Sequence, residues 1–378
     1  MLDGHTYRLS QSLARRQLPN WRLAQFHSVI FDYGSFPHDT ESLSELWQLM
    51  DTMQETRFDD YMYSLNGLST EELNLLVDAL TDVVIFQRTY MPDVPARLPY
   101  STMISALSVY KKLRSYHPNF KTVLEIGPGC GYTSLFLKRH KALENYAQIE
   151  SCEAFYLLQS AINNFAFPGR FEENAFPPRN ATNVFTTNLE FTEDLITVAD
   201  PFAPKSTHYP WWRLGDLAKG ELKFDIVTTN ATLREMNSQA LTDYLETIAR
   251  SMKSDGVMIS QCLGGGIVTT DEDLRQKLFQ AGFAPLAYVE SGGPKRLVDP
   301  ETKQDVEVYF PIGLGVFVRQ GHPLFERYYR RDNYNSDFIA DEEFVLRALY
   351  SPNVRRNFYR RVELAEMVKN RLKTRLAA

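Results

Sequence analysis

The distribution of hydrophobic residues predicts alternating strands and helices over the middle of the chain. Short apolar runs indicate buried strands, and apolar residues three or four apart indicate amphipathic helices. In chain order, the pattern predicts strands at 122–126, 146–150, 183–187, 224–229 and 257–261, and helices at 131–139, 153–166, 238–252 and 271–281. Two further strands, at 284–290 and 306–318, are predicted to pair antiparallel, and 188–220 is predicted to be a long irregular insertion. This alternation favours an α/β fold with a doubly wound sheet.

The two ends of the chain have a helical pattern instead. Ser42 and Ser69 are each followed three residues later by a glutamate, a capping box that predicts the start of a helix. A third helix is predicted at 102–116. Residues 1–115 are therefore expected to form an N-terminal helical cap, which either closes over a ligand or is structural. Residues 116–321 are expected to form the sheet domain.

Residues 322–378 are expected to form a basic helical C-terminal extension. This segment has 12 Lys or Arg against 8 Asp or Glu, a net charge of +4, and includes arginine pairs at 330–331, 355–356 and 360–361. Paired arginines suit an anionic group. They are also compatible with a helix that packs on the body or forms an oligomer contact. We favour this second interpretation. A homo-oligomer is left open.

Composition and charge restrict the class of protein. The chain has 378 residues, 44% of them hydrophobic, and a net charge of −6, which argues against a nucleic acid partner. Its three cysteines, Cys130, Cys152 and Cys262, have no metal-site spacing, which fits a reducing compartment without structural zinc. No apolar run reaches the length of a membrane span. We expect a cytoplasmic protein with no metal site.

The segment 122–131, Thr-Val-Leu-Glu-Ile-Gly-Pro-Gly-Cys-Gly, combines a buried strand with a glycine-rich turn. Such a turn lets the backbone approach a ligand closely. A dinucleotide motif would require glycine at position 132, where this chain has Tyr132. Glu125 at the strand end would repel a pyrophosphate but suits a ligand with an ammonium and a sulfonium group. Glu150, 23 residues after Gly127, is placed to bind ribose hydroxyls.

This segment resembles the first motif of class I S-adenosylmethionine (SAM)-dependent methyltransferases, Glu/Asp-x-Gly-x-Gly-x-Gly. The resemblance implies a Rossmann-like methyltransferase sheet with a terminal antiparallel strand pair and SAM as the cofactor. The expected cofactor-binding residues are Glu125, Gly127, Pro128, Gly129, Gly131, Tyr132, Glu150, Cys152, Asn188 and Asn230. Cys152 and Asn188 also have simpler interpretations, as a buried small residue and a turn residue.

The acceptor of the methyl group is expected at the carboxyl ends of the fourth and fifth strands. Asn230 occupies the position at which class I enzymes place a residue beside the reacting methyl group. Glu235 is placed to take a hydroxyl proton, or to be a charge favoured at a helix N-terminus. His208 is a second candidate base. Candidate acceptor-binding residues are Tyr209, Trp211, Trp212, Arg213 and Arg234, although the tryptophans could instead fill the core.

A narrower resemblance is to sugar O-methyltransferases. The matching features are Asn230 with Glu235 and Met236, Glu150 followed by the helix with Gln159, and the aromatic segment 208–213. Glu153 departs from the expected proline. The resemblance implies O-methylation of a small-molecule acceptor, a sugar or nucleotide sugar. Two alternatives remain, an N-methyltransferase of a small amine or natural-product scaffold and a non-catalytic SAM-binding partner subunit.

Overall fold

The computed structural model describes residues 3–16, 40–52, 57–175, 205–261, 268–289, 292–299, 302–310, 312–335, 338–340 and 355–377. Two sequence-based expectations lie outside these residues, the strand at 183–187 and the cofactor-binding candidate Asn188, and so does Cys262.

The described residues form one central sheet and a separate strand pair. The sheet strands are β1 Thr122–Ile126, β2 Asn145–Glu150, β3 Phe171–Glu173, β4 Lys205–Pro210, β5 Phe224–Asn230, β6 Met252–Gln261, β7 Phe283–Val289, β10 Leu314–Arg319 and β11 Phe338–Ala340. Their order across the sheet is β11-β7-β10-β6-β5-β1-β2-β4-β3. Strands β8 Gly292–Val298 and β9 Asp305–Phe310 pair antiparallel outside it.

Strand direction confirms the predicted doubly wound sheet with a terminal antiparallel pair. β1 is parallel to both of its neighbours, β2 and β5, and β6 continues the parallel set beyond β5. β10 enters antiparallel between β6 and β7. After β1, the chain first adds β2, β3 and β4 on one side of β1 and then β5 and β6 on its other side, so the strand order reverses at β1. Ligands of such sheets bind at this switch point, beyond the carboxyl ends of the strands.

Two strand predictions were wrong in detail. The strand predicted at 306–318 is two strands, β9 and β10, and Pro311 and Gly313 stand between them in the sequence, where they disfavour a continuous ladder. The predicted irregular insertion contains β4, which pairs in parallel with β2. Its sequence, Lys-Ser-Thr-His-Tyr-Pro, lacks the apolar run of a buried strand, yet its Ser, Thr and His are buried.

Helices cover both faces of the sheet. They are α1 Gly4–Arg15, α2 Leu49–Thr52, α3 Phe58–Ser64, α4 Thr70–Tyr90, α5 Tyr100–Tyr116, α6 Thr133–Leu137, α7 Glu153–Ala166, α8 Leu214–Lys219, α9 Ser238–Ser251, α10 Asp271–Gln280, α11 Phe325–Tyr328 and α12 Arg361–Ala377. Short 3₁₀ helices occur at Leu43–Gln48, Trp211–Arg213, Leu233–Glu235 and Arg331–Asn335. The capping box of α4 is present, because Ser69 Oγ accepts from the Glu72 N–H and the Glu72 carboxylate from the Ser69 N–H.

Side-chain alternation along the strands divides the core into two buried clusters. Val123 of β1 faces the cluster that includes α4, α5 and α7, whereas Leu124 and Ile126 face the one that includes α9 and α10. Residues of adjacent positions in a strand point to opposite faces, so both layers are anchored on the same short strand. The predicted cap helices α4 and α5 therefore share a hydrophobic cluster with the sheet. The division at 115 and 321 stays a prediction.

The basic C-terminal segment packs on the N-terminal helices. Arg375 of α12 forms ion pairs with Asp78 at 3.0 Å and Asp82 at 2.7 Å, both on α4, and Arg371 also pairs with Asp78. Arg356 pairs with Glu72 and is 9% exposed. These arginines are thus engaged by acidic residues of the chain itself. Within the described ranges, no helix is long and apolar enough to cross a bilayer.

Candidate active site

The glycine-rich turn after β1 forms the floor of a cavity at the switch point. Gly127, Gly129 and Gly131 have positive φ values of 64°, 58° and 76°. A Cβ at Gly127 would lie 2.5 Å from Thr232 Oγ1, whereas a Cβ at Gly129 would meet nothing within 4 Å. Gly127 is thus required by packing. Gly129 presents bare backbone to open space, as a ligand-binding turn requires.

The cavity is formed by the turn, by the end of β5 and by one face of α5. Its lining residues are Thr102, Ser105, Ala106, Glu125, Gly127, Pro128, Gly129, Cys130, Tyr132, Thr133, Asn230 and Ala231. The helix after the turn, α6, is shorter than the predicted helix at 131–139. A helix of five residues, Thr133–Leu137, has a small dipole, so the turn rather than the helix dominates this side of the cavity.

Glu125 lies at the end of β1 and is 2% exposed. Its carboxylate accepts hydrogen bonds from Thr133 Oγ1 at 2.9 Å and from the Tyr146 hydroxyl. Burial raises the pKa of Glu125 to about 7, and the charge of Glu150 adds to this effect. A cation in the cavity would favour the ionised carboxylate, so Glu125 suits a positively charged ligand.

Glu150 lies at the end of β2 and is 5% exposed. Its Oε1 accepts from the backbone N–H of Ser151 at 2.7 Å and of Cys152 at 3.0 Å, and its Oε2 accepts from Gln159 Nε2 at 2.8 Å. Burial raises its pKa. Gln159 Nε2 also donates to the Gly129 carbonyl at 2.5 Å, so one amide links the acid to the glycine-rich turn.

Tyr132 and Cys130 connect the turn to the N-terminal segment. The Tyr132 hydroxyl donates to the Met50 carbonyl at 2.9 Å, and Cys130 Sγ lies 3.3 Å from the Leu49 carbonyl oxygen. Cys152, a candidate cofactor-binding residue, immediately precedes α7. It is buried and has a free thiol, and burial raises the pKa of that thiol. Its backbone N–H, rather than its thiol, orients Glu150.

Asn230 closes the other side of the cavity at the end of β5. Its Nδ2 donates to Ser105 Oγ of α5 at 3.3 Å, and its Oδ1 is buried without a hydrogen-bond partner among the described residues. Ala231, which follows, has a φ of 56°, a conformation that costs a non-glycine residue about 1–2 kcal/mol. A buried oxygen without a donor, beside strained backbone, is a position where a ligand group would be accommodated.

Glu235 ends the 3₁₀ helix after β5 and is half-buried. Burial raises its pKa to about 7, and the charge of Glu150 adds to the shift, so the two carboxylates lie within electrostatic reach. The described residues provide no hydrogen bond or ion pair for this carboxylate. Arg234, its neighbour, is oriented towards the Thr269 carbonyl, with Nε at 3.5 Å.

His208 has surroundings unlike those expected of an exposed base. It is 0% exposed in the middle of β4, its ring stacks on Tyr156 at 4.0 Å between centroids, and Nδ1 lies 3.0 Å from Ser160 Oγ. Burial lowers its pKa to about 3. The ring is thus packed between the sheet and α7, and His208 is not among the residues that line the cavity.

The aromatic segment after His208 lies beside Glu150, because Pro210 is the register partner of Glu150. Trp211 is 3% exposed and meets Trp212 edge to face at 5.6 Å. Trp212 is half-buried against Tyr7 of α1, and Arg213 pairs with Asp216. Tyr209 is half-buried in the opposite cluster. The structure therefore brings this segment near the ribose-side acid, but not into the lining of the cavity.

Some residues around the cavity had no local signal in the sequence. Ser105 and Thr102 come from α5, which was predicted only as a cap helix, and Gln159 was noted only as part of a family pattern. Their contribution depends on how distant helices pack against β1 and β5. A polar face on the predicted helix at 102–116 was the one hint available.

No protein-family model matches the sequence, and no curated protein matches it. Solved structures give weak similarity. A TehB-like SAM-dependent methyltransferase from Corynebacterium glutamicum is 13% identical over 56% of this chain and 88% of that chain, with a TM-score of 0.34. A SAM-dependent methyltransferase from Clostridium acetobutylicum is 12% identical over 63% and 97%, with a TM-score of 0.35. A SAM-bound amino pentose methyltransferase from Micromonospora echinaspora is 13% identical over 62% and 97%, with a TM-score of 0.34.

Similarity at these TM-scores says nothing about the reaction, so the assignment depends on the chain's own topology and residues. A parallel sheet that reverses at β1 and an antiparallel β10 between β6 and β7 are the topology of the class I methyltransferase fold, and the glycine-rich turn with Glu125 and Glu150 lies at its switch point. The protein has the fold of this class of enzymes. The narrower resemblance to sugar O-methyltransferases is not confirmed.

Proposed function

We propose that the protein transfers a methyl group from SAM to a hydroxyl of a small polar acceptor of the sugar or nucleotide-sugar class. The observation that supports an oxygen acceptor is the environment of the Glu235 carboxylate. Glu235 ends the 3₁₀ helix after β5, is half-buried, has a pKa raised to about 7, and lies within electrostatic reach of Glu150.

The residues around the glycine-rich turn fit SAM. Glu150, held by two backbone N–H groups and Gln159, has the chemistry to bind the ribose hydroxyls. Glu125 suits the positive charge of the amino-acid part, and Gly129 leaves room for it. When bound, SAM supplies a methyl group on a positively charged sulfur, which makes the methyl carbon electrophilic. We propose supporting contacts from Pro128, Gly131, Tyr132, the Cys152 backbone and Asn188.

Glu235 acts as the general base in this proposal. A base with a pKa near the working pH is ionised in a substantial fraction of molecules and still accepts a proton readily. Glu235 takes the proton of the acceptor hydroxyl, and its partial burial limits competition by water. Asn230 Oδ1, buried without a partner, is available to orient the reacting groups.

The acceptor is proposed to lie between Glu235 and the aromatic segment at the end of β4. Half-buried Tyr209, which packs in the same cluster as Leu233 and Met236 on either side of Glu235, offers a ring face that suits a sugar. Trp212, with Trp211 edge to face behind it, packs beside Tyr7 in the opposite cluster. Arg213 and Arg234 supply positive charge nearby. We propose a packing role for His208, because its ring is enclosed between Tyr156 and Ser160.

N-methylation is the second candidate. The charge of Glu150 raises the pKa of both Glu125 and Glu235, so three acidic groups lie around the site, which favours a cationic amine as well as SAM. An amine requires a weaker base than a hydroxyl, so the two reactions differ in how strongly they depend on Glu235.

A calorimetric titration with SAM and with its demethylated product tests the cofactor. We expect micromolar binding to the wild type and at least a tenfold loss in Glu150→Ala, about 1.4 kcal/mol. Glu144→Ala is the matched control, since Glu144 precedes the opposite end of β2 and is 61% exposed. Binding of NADH without binding of SAM would overturn the proposal, as would equal affinities in the two variants.

A further inference from the structure

A buried lysine lies behind the cavity and takes no part in the proposed reaction. Lys112, on α5, is 5% exposed, and its Nζ donates to Ser108 Oγ at 3.0 Å and to Gln261 Oε1. Burying an ammonium group is costly unless hydrogen bonds compensate for the lost water. Neither Lys112 nor Gln261 lines the cavity, so any effect of the lysine on a ligand acts through the residues that it orients.

The lysine fixes the orientation of the Gln261 amide. An ammonium group only donates hydrogen bonds, so the amide oxygen faces Lys112 and the amide nitrogen faces away from it. Gln261 Nε2 accordingly donates to the Ser105 carbonyl at 3.3 Å and to Ser105 Oγ at 3.1 Å. The buried charge thus determines which atom of Gln261 meets Ser105.

Ser105 Oγ accepts from a second amide as well. Asn230, the register partner of Gln261 on the neighbouring strand, donates to it from Nδ2 at 3.3 Å. A serine oxygen has two lone pairs and one hydrogen, and here both lone pairs face donors. The hydrogen has no acceptor within the part of the chain that the structure describes. Since Ser105 lines the cavity, its hydroxyl is a donor available to a ligand there.

The side chains that line the cavity match the two charged groups of an α-amino acid. Ser105 supplies a donor for a carboxylate, and Glu125 supplies negative charge for an ammonium group. An α-amino acid carries both groups on one carbon atom. Glu150, the candidate for the ribose hydroxyls, does not line this cavity. The cavity therefore suits the amino-acid end of SAM rather than its nucleoside.

We propose that Lys112 and Gln261 position the Ser105 hydroxyl to donate a hydrogen bond to the carboxylate of bound SAM. Ser105 contacts the ligand, whereas Lys112 and Gln261 are positioning residues. This inference rests on the proposed function, since it requires that SAM binds at the glycine-rich turn.

The first test compares Ser105→Ala with Ser108→Ala. Ser108 lies on the same helix, is fully buried and also accepts from Lys112, but it does not line the cavity. In calorimetry, SAM and its demethylated product should bind about tenfold more weakly to Ser105→Ala and with wild-type affinity to Ser108→Ala. Decarboxylated SAM, which lacks only the carboxylate, should bind equally well to the wild type and to Ser105→Ala.

The second test separates positioning from packing. Gln261→Glu keeps the shape of the side chain and its contact with Lys112, but it replaces the donor that faces Ser105 with an acceptor. The Ser105 hydroxyl should then turn towards the new carboxylate, so SAM affinity should fall about tenfold. The melting temperature should not fall, because the carboxylate pairs with Lys112. Adding Gln261→Glu to Ser105→Ala should cause no further loss of affinity, since it acts through the serine.

The outcomes separate this inference from the proposed function. If the wild type binds neither SAM nor the product, both are overturned. If the wild type binds them and Ser105→Ala binds them equally well, only the inference is overturned. An equal loss in Ser108→Ala, or an equal loss for decarboxylated SAM, would show disturbed packing of α5 and overturn the contact with the carboxylate. Additive losses in the double variant would overturn the positioning role of Gln261.

Discussion

Glu125 and Glu235 share a pKa raised to about 7, but their carboxylates have different surroundings. Glu125 accepts hydrogen bonds from Thr133 and Tyr146, which fix its position and oppose the effect of burial. Glu235 is half-buried, and the described residues give its carboxylate no hydrogen bond. A carboxylate held by two donors is suited to binding, whereas one without partners is suited to exchanging a proton.

The same difference separates the two sides of the site. On the cofactor side, Glu150, Gln159 and the glycine-rich turn are joined by hydrogen bonds before any ligand is present. On the acceptor side, the polar groups at the end of β5 keep unused capacity, as Asn230 Oδ1 shows. Transition-state stabilisation uses polar groups that are already in position but form their full contacts only with the reacting groups. The hydrogen-bonded cofactor side and the partly unpaired acceptor side together fit this requirement. The predictions below test this difference, from the largest expected effect to the smallest.

Glu235→Gln should have the largest effect. If Glu235 is the base for an oxygen acceptor, kcat should fall by about 10²–10⁴-fold, while the Kd for SAM measured by calorimetry stays close to that of the wild type. Turnover with each candidate acceptor is followed by the release of demethylated cofactor. A variant that keeps its turnover would contradict the base assignment and favour an amine acceptor.

Gly129→Ala should come next, and Gly127→Ala is its comparison. Both substitutions place a side chain at a positive φ, at a cost of about 1–2 kcal/mol. At Gly129 the new methyl group enters the open space of the cavity, so SAM affinity should fall by about a hundredfold, or about 2.8 kcal/mol.

At Gly127 the methyl group would collide with Thr232, so the main loss should be in the free energy of unfolding. Denaturant unfolding and calorimetry on both variants separate the two effects. Equal loss of stability with equal affinity in the two variants would show that the turn does not approach the cofactor.

The affinity for SAM should depend on pH through Glu125. Its ionised form attracts the cationic ligand, and its pKa is about 7, so affinity should fall by about tenfold for each pH unit below 7 and level off above it. Calorimetry across this range checks the slope. Glu125→Gln should bind more weakly and lose most of this dependence; a variant with the wild-type slope would assign the titration to another group.

The cofactor side of the site could be predicted from the sequence, because its signals are local. An acid, three glycines at alternate positions and a second acid one strand later determine both the turn and its ligand class. The doubly wound sheet with its terminal antiparallel pair followed from strand–helix alternation together with the class I resemblance. These features need no knowledge of which distant segments meet.

The rest depends on tertiary contacts that leave no local pattern. β4 has the polar sequence of a loop, and two of its buried polar side chains, Ser206 and His208, hydrogen-bond to Asn163 and Ser160 of α7. Ser105 reaches the cavity only because α5 packs across the ends of β5 and β6, where Gln261 donates to it at 3.1 Å. The enclosure of His208 follows from the packing of α7 on β4, so its sequence neighbours gave no indication of it.

His208→Phe should have the smallest effect on the reaction and a clear effect on stability. The new ring keeps the stacking position on Tyr156, but Ser160 loses its partner, so the free energy of unfolding should fall by about 1–3 kcal/mol at neutral pH. The pKa of His208 is lowered from 6.5 to about 3, so the unfolded chain binds a proton that the folded protein resists. Wild-type stability should therefore fall as the pH drops from 6.5 towards 3, and the variant should lack this component. The pH profile of kcat should be the same in both, because the proposed base is Glu235. A variant with normal stability and a collapsed kcat would move His208 from the packing of the sheet to the chemistry.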